Sequence, residues 1–390
     1  MASVKLGIVG IGNMGSAHAA NIAAGRIKGM QLAAVCDTDE TKKNWAGEHL
    51  PGIPFFSHYA DLLESGVDAV LIATPHYLHP PIAVEAFAHG LHVLSEKPAG
   101  VYTAQVEEMN AAARASGKVF GIMFNQRTNP LFSQARRLVR SGELGVPKRL
   151  VWIITNWYRS QTYYDSGSWR ATWAGEGGGV LLNQAPHNLD VWQWIFGMPR
   201  RIRAFCTCGK YHHIEVEDDA TIYAEYDGGA TATFITTTGE MPGTNRLEIS
   251  GDRGKLVIEN GELTVWRLPV PEREFCFTAK DGYPKLDIVA KSYQPDTKET
   301  AHSGILQNFA NAILYGEELL APGYEGLNSL SISNAAYLSS WTGETVELPP
   351  DGQRFLSLLQ EKIDHSSFRH SVHPDPLPRG RYSERWSVKW

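Results

Sequence analysis

The chain has 390 residues, of which 43% are hydrophobic and 20% charged, and its formal net charge is −6. This length exceeds what one hydrophobic core usually supports, so two domains are expected. The acidic balance argues against nucleic-acid binding, and no uninterrupted apolar stretch is long enough to span a bilayer. The chain opens without a signal-peptide pattern, and its four cysteines lack zinc-site spacing. We therefore predict a cytoplasmic globular protein with no nucleic-acid partner, no membrane partner and no metal site.

Strand-like and helix-like segments alternate along the first third of the chain. The predicted strands are Val4–Val9, 31–36, 67–74, 91–96 and 119–124, and the predicted helices are 79–89 and Thr103–Ser116. Such alternation is typical of α/β proteins. It predicts an N-terminal doubly wound parallel sheet of the Rossmann type over residues 1–124.

A glycine-rich motif, Gly10-Ile11-Gly12-Asn13-Met14-Gly15, directly follows the first predicted strand. Gly10 permits a tight turn, Gly12 lets the backbone approach a pyrophosphate, and Gly15 allows close helix packing. The second strand ends in Asp37, at the spacing expected for a carboxylate that accepts hydrogen bonds from the adenosine ribose. Asp37 would repel a 2′-phosphate, so the pattern favours NAD over NADP. The alternative is an ordinary glycine loop with Asp37 as a helix cap.

The run Ser95-Glu96-Lys97-Pro98 ends another predicted strand. Proline restricts the preceding residue to extended geometry, so Pro98 is expected to hold Lys97 at the carboxyl edge of the parallel sheet. Open α/β sheets bind their ligands at that edge. The ammonium of Lys97 is therefore placed to face both a substrate and a cofactor.

After about residue 125 the pattern changes to that of an α+β domain. A helix over 130–141 leads to a strand over 149–157, and helices over 305–315 and 327–341 come last. Between them, hairpin turns are predicted at residues 227–229, 251–254 and 259–261. We expect a large, mainly antiparallel open sheet in a substrate-binding and oligomerisation domain over residues 125–350. Residues 351–390 are expected to form a C-terminal extension.

A second constellation follows the three glycines that begin at Gly177. On a helix, Asn183, His187 and Asp190 are spaced to share one face, where they could bind and deprotonate a hydroxyl. A hydrogen-bonded core histidine is the alternative reading of His187. The glycines favour the functional reading, because they allow another segment or a ligand to come close.

Aromatic residues and arginines are concentrated between residues 152 and 173. Flat ring faces beside hydrogen-bonding groups suit a pyranose or cyclitol ring, although core packing and subunit contacts explain part of the cluster. The residues proposed to contact a substrate there are Tyr158, Arg159, Tyr163, Trp169 and Arg170.

Taken together, these motifs resemble those of the glucose–fructose oxidoreductase / inositol dehydrogenase (Gfo/Idh/MocA) family over roughly residues 4–345. The matching elements are the glycine motif, Ala73-Thr74-Pro75, Glu96-Lys97-Pro98, Asn125-Gln126-Arg127, Ser168-Trp169-Arg170 and the segment from Gly177 to Asp190. The resemblance implies that Lys97 and His187 flank the nicotinamide and act on a secondary alcohol. It also implies that the cofactor is bound by Gly10, Gly12, Asn13, Met14, Asp37, Thr74, Pro75, His76, His79, Glu96, Lys97 and Asn125, and that Arg127 contacts the substrate.

Two positions depart from the family pattern. Asn183 stands where relatives commonly carry aspartate, and an amide cannot accept a proton. The base is therefore expected to be His187 as the first choice, or Lys97 in its neutral form. His76 stands where relatives often carry asparagine; with His79 it either lines the nicotinamide side or caps a helix.

Three functions follow from these observations. The first is an NAD-dependent dehydrogenase acting on a ring hydroxyl of a sugar, glycoside or cyclitol. The second is a redox-neutral enzyme in which bound NAD oxidises a sugar transiently, and the third is a non-catalytic sugar or nucleotide sensor. A homo-dimer or homo-tetramer is expected because an open sheet needs its second face covered. The two tryptophans near the carboxyl terminus predict that the extension docks on a subunit.

Overall fold

The computed structural model describes residues 2–167, 169–295 and 297–367. Its first sheet has six parallel strands in the order β3-β2-β1-β4-β5-β6. These strands are β1 Val4–Val9, β2 Met30–Cys36, β3 Phe55–Phe56, β4 Ala69–Ile72, β5 His92–Ser95 and β6 Phe120–Ile122. The helices that alternate with them are α1 Asn13–Ala23, α2 Glu40–His49, α3 Tyr59–Leu63, α4 His79–Ala88 and α5 Thr103–Ser116. The predicted doubly wound Rossmann sheet is confirmed.

The central strands of this sheet are buried along almost their whole length. All four residues of β4 and five of the six residues of β1 are buried. Strands covered by helices on both faces need such continuous apolar runs, which is why the sequence pattern was strong here. The carboxyl ends of β1, β4 and β5 then place Gly10, Thr74 and Glu96 along one edge of the sheet.

The second sheet has nine strands in the order β14-β13-β12-β11-β7-β10-β9-β8-β15. These strands are β7 Pro147–Ile154, β8 Arg201–Cys208, β9 Glu217–Glu225, β10 Thr231–Thr237, β11 Asn245–Gly251, β12 Gly254–Glu259, β13 Glu262–Arg267, β14 Val289–Tyr293 and β15 Val346–Glu347. Every neighbouring pair is antiparallel except β7 with β10, which run parallel. The prediction of a mainly antiparallel sheet with three hairpin turns is confirmed.

The helices of this second part are α6 Pro130–Arg140, α7 Gln161–Tyr164, α8 Pro186–Phe196, α9 Glu272–Thr278, α10 Ala301–Tyr315, α11 Gly326–Thr342 and α12 Gly352–Asp364. Helix α11 packs on β8 and on α8, so it covers one face of the sheet. On β8, buried Ala204 alternates with Phe205, which is 62% exposed, and Tyr223 on the neighbouring strand is 43% exposed. Aromatic side chains therefore remain open to solvent on the other face.

Helix α10 returns to the first sheet from the far end of the chain. The side chain of Gln307 exchanges two hydrogen bonds with the backbone of Lys28, at 2.8 and 2.9 Å. Phe309 of the same helix is fully buried, and a Cβ on Gly121 of β6 would lie 3.4 Å from its ring. The nucleotide-binding half is thus completed by a helix that follows eight of the nine strands of the second sheet in sequence.

Helix α12 fastens the start of the carboxyl-terminal extension. Phe355 is fully buried and stacks on Trp341 with 5.4 Å between the ring centroids. Helix α12 is thus packed on α11, and the docking of the whole extension stays a prediction. Residues 368–390, with the two tryptophans on which that prediction relied, lie outside the described residues.

Candidate active site

The nucleotide side of the site is the turn between β1 and α1. Gly10 has φ +87°, and a Cβ on Gly15 would lie 1.8 Å from the carbonyl oxygen of Gly10. Gly12 has nothing within 4 Å of the place where a Cβ would stand. The turn therefore requires glycine for its own packing and leaves open space in front of Gly12. Helix α1 begins directly after it with Asn13 and Met14, so its N–H groups face that space.

Asp37 closes this turn from the end of β2. One carboxylate oxygen accepts a hydrogen bond from the N–H of Ile11 at 2.8 Å, and the other accepts from the N–H of Asp39 at 3.0 Å. Asp37 is partly exposed, so each oxygen keeps capacity for a further donor. This geometry suits the two hydroxyls of an adenosine ribose.

Two buried polar atoms without partners belong to residues that the resemblance assigns to cofactor binding. Thr74 Oγ1, between β4 and Pro75, and Asn125 Oδ1, just after β6, are both buried and unpaired. Buried polar groups are normally satisfied, so these two atoms indicate a site that a ligand completes. The residues present therefore fit a bound NAD.

Histidines join the loops around this edge. The ring of His79 bridges two loops, with Nδ1 lying 2.8 Å from the carbonyl oxygen of Pro98 and Nε2 lying 2.8 Å from that of Thr74. His76 Nδ1 lies 2.9 Å from the carbonyl oxygen of Glu176. The side chain of His76 makes no capping hydrogen bond, since its Nδ1 is engaged with Glu176, so the capping alternative for His76 finds no support. Glu96 pairs with His18 of α1 at 2.8 Å, which ties the glycine turn to the strand that carries Lys97.

Lys97 stands at the carboxyl edge of β5, where the sequence predicted it. Its Nζ donates a hydrogen bond to the carbonyl oxygen of Asn183 at 2.7 Å. Burial lowers the pKa of Lys97 to about 8, although the carboxylates of Glu96 and Glu176 act in the opposite direction. The amine can therefore exchange its proton near neutral pH.

His187 lies on the first turn of α8 and is only 8% exposed. Its Nδ1 has no hydrogen-bond partner, and burial, followed by the charge of Lys97, lowers the pKa of His187 well below its usual range. Asn183 was predicted on the same helix, but α8 begins only at Pro186, and Asn183 lies in the preceding turn. Proline is favoured at a first helical position because its missing N–H is not needed there.

Glu176 is a site residue that sequence reasoning missed. Its side chain is buried, with one carboxylate oxygen accepting from the N–H of Ala171 at 2.6 Å and the other accepting from the Asn183 amide. Burial raises the pKa of Glu176, while the positive charge of Arg170 opposes that shift. The sequence carried one sign of this role: Glu176 is the only Asp, Glu, Lys or Arg between residues 171 and 189, so it is a single charge in an otherwise uncharged segment.

A second missed carboxylate, Glu217, holds the triple glycine in place. It accepts hydrogen bonds from the N–H groups of Gly179 at 2.9 Å and Leu181 at 2.8 Å, and from the hydroxyl of Tyr337 at 2.7 Å. A Cβ on Gly179 would lie 1.9 Å from the carbonyl oxygen of Glu217, so only glycine fits there. Burial raises the pKa of Glu217 to about 7. The loop that carries Asn183 is thus anchored on β9 and α11.

One edge of the site is lined by Tyr163 and the side chains around it. The guanidinium groups of Arg159 and Arg170 lie 5.1 and 4.8 Å from the Tyr163 ring centroid. The Tyr163 hydroxyl accepts from Arg170 at 2.9 Å and from Gln184 at 3.2 Å. Trp169 meets His76 edge to face at 5.7 Å. Four of the predicted substrate contacts therefore gather beside Lys97 and Glu176.

Three other predicted substrate contacts lie in different surroundings. Arg127 and Asp190 form a buried bidentate ion pair, with nitrogen–oxygen distances of 2.8 and 2.6 Å. Glu325 adds a second carboxylate to Arg127 at 2.5 Å. Asp190 is therefore paired with Arg127, and its predicted contact with a substrate stays a prediction. Tyr158 is 43% exposed.

The arrangement brings an amine, a neutral imidazole, an amide and a buried carboxylate to the carboxyl edge of a nucleotide-binding sheet. Such groups can take a proton from a hydroxyl and stabilise the negative charge that develops on its oxygen. In the described part of the chain, no cluster of His, Cys, Asp and Glu could hold a metal ion. None of its helices is long and apolar enough to cross a membrane.

Comparisons with known proteins agree with this geometry. The chain is 26% identical to scyllo-inositol 2-dehydrogenase (NAD(+)) of Bacillus subtilis over 361 residues, which cover 88% of this chain and 96% of the relative. It is 26% identical to inositol 2-dehydrogenase of Rubrobacter xylanophilus over 360 residues, covering 89% and 95%. The crystal structure of the WlbA dehydrogenase of Bordetella pertussis, in complex with NADH and UDP-GlcNAcA, superposes with a TM-score of 0.74 at 27% identity. That superposition covers 90% of this chain and 100% of the other.

Family models match both halves of the molecule. Residues 4–124 match the model described as an oxidoreductase family with an NAD-binding Rossmann fold. Residues 132–257 match the GFO/IDH/MocA C-terminal domain. The glycine turn, Asp37 and the unpaired polar atoms of Thr74 and Asn125 give the first match a physical basis. The chain therefore belongs to the Gfo/Idh/MocA family of NAD-binding oxidoreductases.

Proposed function

We propose that this oxidoreductase transfers a hydride between nicotinamide and a secondary ring hydroxyl of a sugar, glycoside or cyclitol. The observation that carries the proposal is the hydrogen bond from Lys97 Nζ to the carbonyl oxygen of Asn183. It fixes an amine with a pKa of about 8 beside His187, at the edge where the cofactor binds. Bound NAD supplies the hydride acceptor.

Lys97 is the better proton acceptor of the two candidates. The sequence favoured His187, but its pKa is lowered well below the usual range, so its imidazole would hold an abstracted proton weakly. A neutral Lys97 amine accepts the hydroxyl proton more readily near neutral pH, because its pKa lies close to that pH. His187 then serves as a neutral hydrogen-bond donor to the substrate oxygen.

The side chains around Tyr163 support a ring-shaped polar substrate. Trp169 offers an aromatic face, and Arg159 and Arg170 offer donors that match hydroxyl or carboxylate oxygens. The inositol dehydrogenases named above act on cyclitols, and the WlbA structure holds a nucleotide sugar. We therefore place cyclitols and pyranoses first among candidate substrates.

We also infer a cytoplasmic homo-oligomer, a dimer or a tetramer. All four cysteines are free, as expected in a reducing compartment. Phe205 and Tyr223 on the open face of the second sheet support a subunit contact there. Light scattering on the full chain tests this inference, and a monomer over the whole accessible concentration range would refute it.

A substrate screen tests the proposed reaction. Purified protein with NAD is mixed with inositols, aldoses, glycosides and uronic acids, and absorbance of reduced cofactor is followed while substrate consumption is measured by NMR. Steady formation of NADH is expected with at least one ring alcohol, and Lys97→Met should slow it by at least about 10²-fold. Substrate conversion without NADH accumulation would favour the redox-neutral reaction instead. No conversion of any compound that the protein binds would favour a sensor.

A further inference from the structure

We propose that Glu176 is a positioning residue of this site: its carboxylate fixes the Asn183 amide and balances the ammonium of Lys97, and so sets the pH range in which Lys97 accepts a proton. This inference rests on the proposed function, because it concerns the proton that leaves the substrate hydroxyl. It assigns a role to a buried charge that neither the family resemblance nor the motifs had singled out.

The local backbone is built to deliver this carboxylate. Glu176 is 2% exposed and stands between Gly175 and Gly177. A Cβ on Gly175 would lie 2.4 Å from the carbonyl oxygen of Trp169, and one on Gly177, where φ is +81°, would lie 2.4 Å from Val101. Neither position tolerates a side chain, so the glycines on both sides are needed to bring Glu176 into the site.

The hydrogen bonds of Glu176 lead directly to the reacting groups. Its carboxylate accepts from the Asn183 amide, and the carbonyl oxygen of Asn183 accepts from Lys97 Nζ. Its backbone carbonyl lies 2.9 Å from His76 Nδ1. A buried ionised group needs such partners, and the partners in turn are held by it. Removing the carboxylate therefore leaves the Asn183 amide without its buried acceptor.

The charges around Lys97 show why this carboxylate matters. The groups that act on Lys97 electrostatically are two carboxylates, two guanidiniums and four imidazoles: Glu96, Glu176, Arg159, Arg170, His76, His79, His187 and His302. One oxygen of Glu96 pairs with His18, and the other accepts from the backbone N–H of Lys97. Glu176 is the carboxylate that shares Asn183 with the Lys97 ammonium.

The proton balance follows from this placement. When the ring alcohol is oxidised, the hydroxyl O–H bond breaks and a new N–H bond forms on the neutral amine of Lys97. The C–H bond at the carbon that bears this hydroxyl would break as well, and its electron pair would leave as a hydride, for which bound NAD would be the acceptor. The electron pair of the former O–H bond would form the C=O bond of the product. Lys97 becomes an ammonium ion in a poorly solvated site, and the negative charge of Glu176 stabilises it. Without the Glu176 carboxylate, the pKa of Lys97 is lower and its amine is a weaker base, because one charge that opposes Arg159 and Arg170 is gone.

The first experiment titrates Lys97 without any substrate. Labelling by a lysine-reactive anhydride is measured across pH, and mass spectrometry of the Lys97 peptide gives its midpoint. In Glu176→Gln we expect the midpoint to fall by roughly one pH unit, because an opposite charge has been removed. Glu217→Gln, which removes the buried carboxylate that anchors the same loop from β9, should leave the midpoint in place. An unchanged midpoint in Glu176→Gln overturns the proposal.

The second experiment uses the compound from the screen that the wild type oxidises fastest. We expect Glu176→Gln to lower kcat by about 10-fold to 100-fold and to move the rising limb of the kcat profile to lower pH. Glu176→Asp should recover part of both effects. Adding Asn183→Asp to Glu176→Gln restores a carboxylate beside Lys97, so the rising limb should return towards higher pH.

The outcomes distinguish failure of the role proposed for Glu176 from failure of the proposed function. If kcat falls in Glu176→Gln but the limb does not move, the residue is merely structural and the proposal is overturned. If Glu176→Gln does not fold, Glu176→Asp decides: its shorter side chain draws the carboxylate back from Asn183 and Lys97, so the labelling midpoint should fall by part of the same shift, and an unchanged midpoint overturns the proposal. If the wild type oxidises nothing, the proposed function fails, while the labelling midpoint still reports on Glu176.

Discussion

The two sides of the active site are built in different ways. On the nucleotide side, the glycine turn and Asp37 lie at the ends of adjacent strands, and their hydrogen bonds span 26 residues of sequence. On the substrate side, Lys97 reaches Asn183 across 86 residues, and Tyr337 reaches Glu217 across 120. The contacts of the nucleotide side join residues that are close in sequence. Those of the substrate side form only after the two sheets have packed together.

The two sides should respond differently to substitution. A substitution in the glycine turn should distort only the backbone around it and weaken binding of the cofactor phosphates. A substitution in a buried polar network should disturb the whole network, because each side chain supplies the hydrogen-bond partner of its neighbour. Substitutions on the substrate side should therefore alter turnover or stability far from the changed residue, while those on the nucleotide side should alter cofactor binding alone.

Lys97→Met is the sharpest test of this separation, because the residue stands where the two sides meet. We expect turnover to fall by about 10²-fold to 10⁴-fold, since a proton acceptor is lost. NADH affinity, measured by fluorescence titration, should stay within about threefold of the wild type because the adenosine contacts are unchanged. Lys285→Met, on an exposed segment, is the matched control. A large loss of NADH affinity would show that Lys97 also contributes to cofactor binding and would contradict this separation.

Asp190→Asn tests whether the Arg127 pair belongs to the framework or to the substrate. Removing one member of a buried ion pair leaves a charge uncompensated, which destabilises folded proteins by about 3–5 kcal/mol. Urea unfolding should show a loss of this order, with KM for the substrate little changed. Glu325→Gln, which removes the more exposed carboxylate from Arg127, should cost less. A raised KM with unaltered stability would return Asp190 to the substrate site.

Glu217→Gln tests the anchor of the glycine loop through pH. The pKa of Glu217 is raised from 4.5 to about 7, so its stabilising contribution is complete below pH 4.5 and is lost as the pH rises through 7. The wild type should therefore lose about 3 kcal/mol from this group between pH 4.5 and 8. Urea unfolding at pH 4.5 and at pH 8 should show that Glu217→Gln loses less free energy of unfolding over this interval than the wild type does. An identical pH dependence in both proteins would contradict the assigned burial of the charge.

Asp37→Ser should give the smallest effect and confine it to the cofactor. The substitution removes hydrogen bonds to the ribose and the repulsion of a 2′-phosphate, worth about 1.5–3 kcal/mol. The preference for NADP over NAD should rise by about 10-fold to 100-fold, measured as the ratio of kcat/KM values. The pH profile with NAD should stay that of the wild type. A wild type that already prefers NADP would contradict the role given to Asp37.

The fold was largely readable from sequence because its strongest signals are local. Strand Val4–Val9 and helix Thr103–Ser116 have the predicted bounds, since glycine turns and continuous apolar runs mark their ends. Other elements differ by a few residues at their ends, where capping competes with hydrophobic pattern. The parallel pairing of β7 with β10 was not predicted, because a strand that inserts centrally carries no local sign of its neighbours.

The site was only partly readable for the same reason. Lys97, His187 and Asp37 follow recognisable motifs, and the structure places them at the edge that those motifs indicate. Glu176 and Glu217 acquire their roles from distant partners, so their sequence context gave only a weak signal. Asn183 and Asp190 fit a helical spacing, yet Pro186 starts the helix later and Arg127 takes the charge of Asp190. The catalytic roles themselves remain predictions.

Helix α10 imposes an order on biosynthesis. Ala301–Tyr315 closes the first sheet against β1 and β6, but the ribosome makes this helix only after nearly all of the second sheet. The nascent nucleotide-binding half therefore waits with Gly121 of β6 uncovered until that segment leaves the exit tunnel. Cofactor capture should thus be a late event in synthesis, and chaperone contacts are expected to concentrate on the interval before α10 emerges.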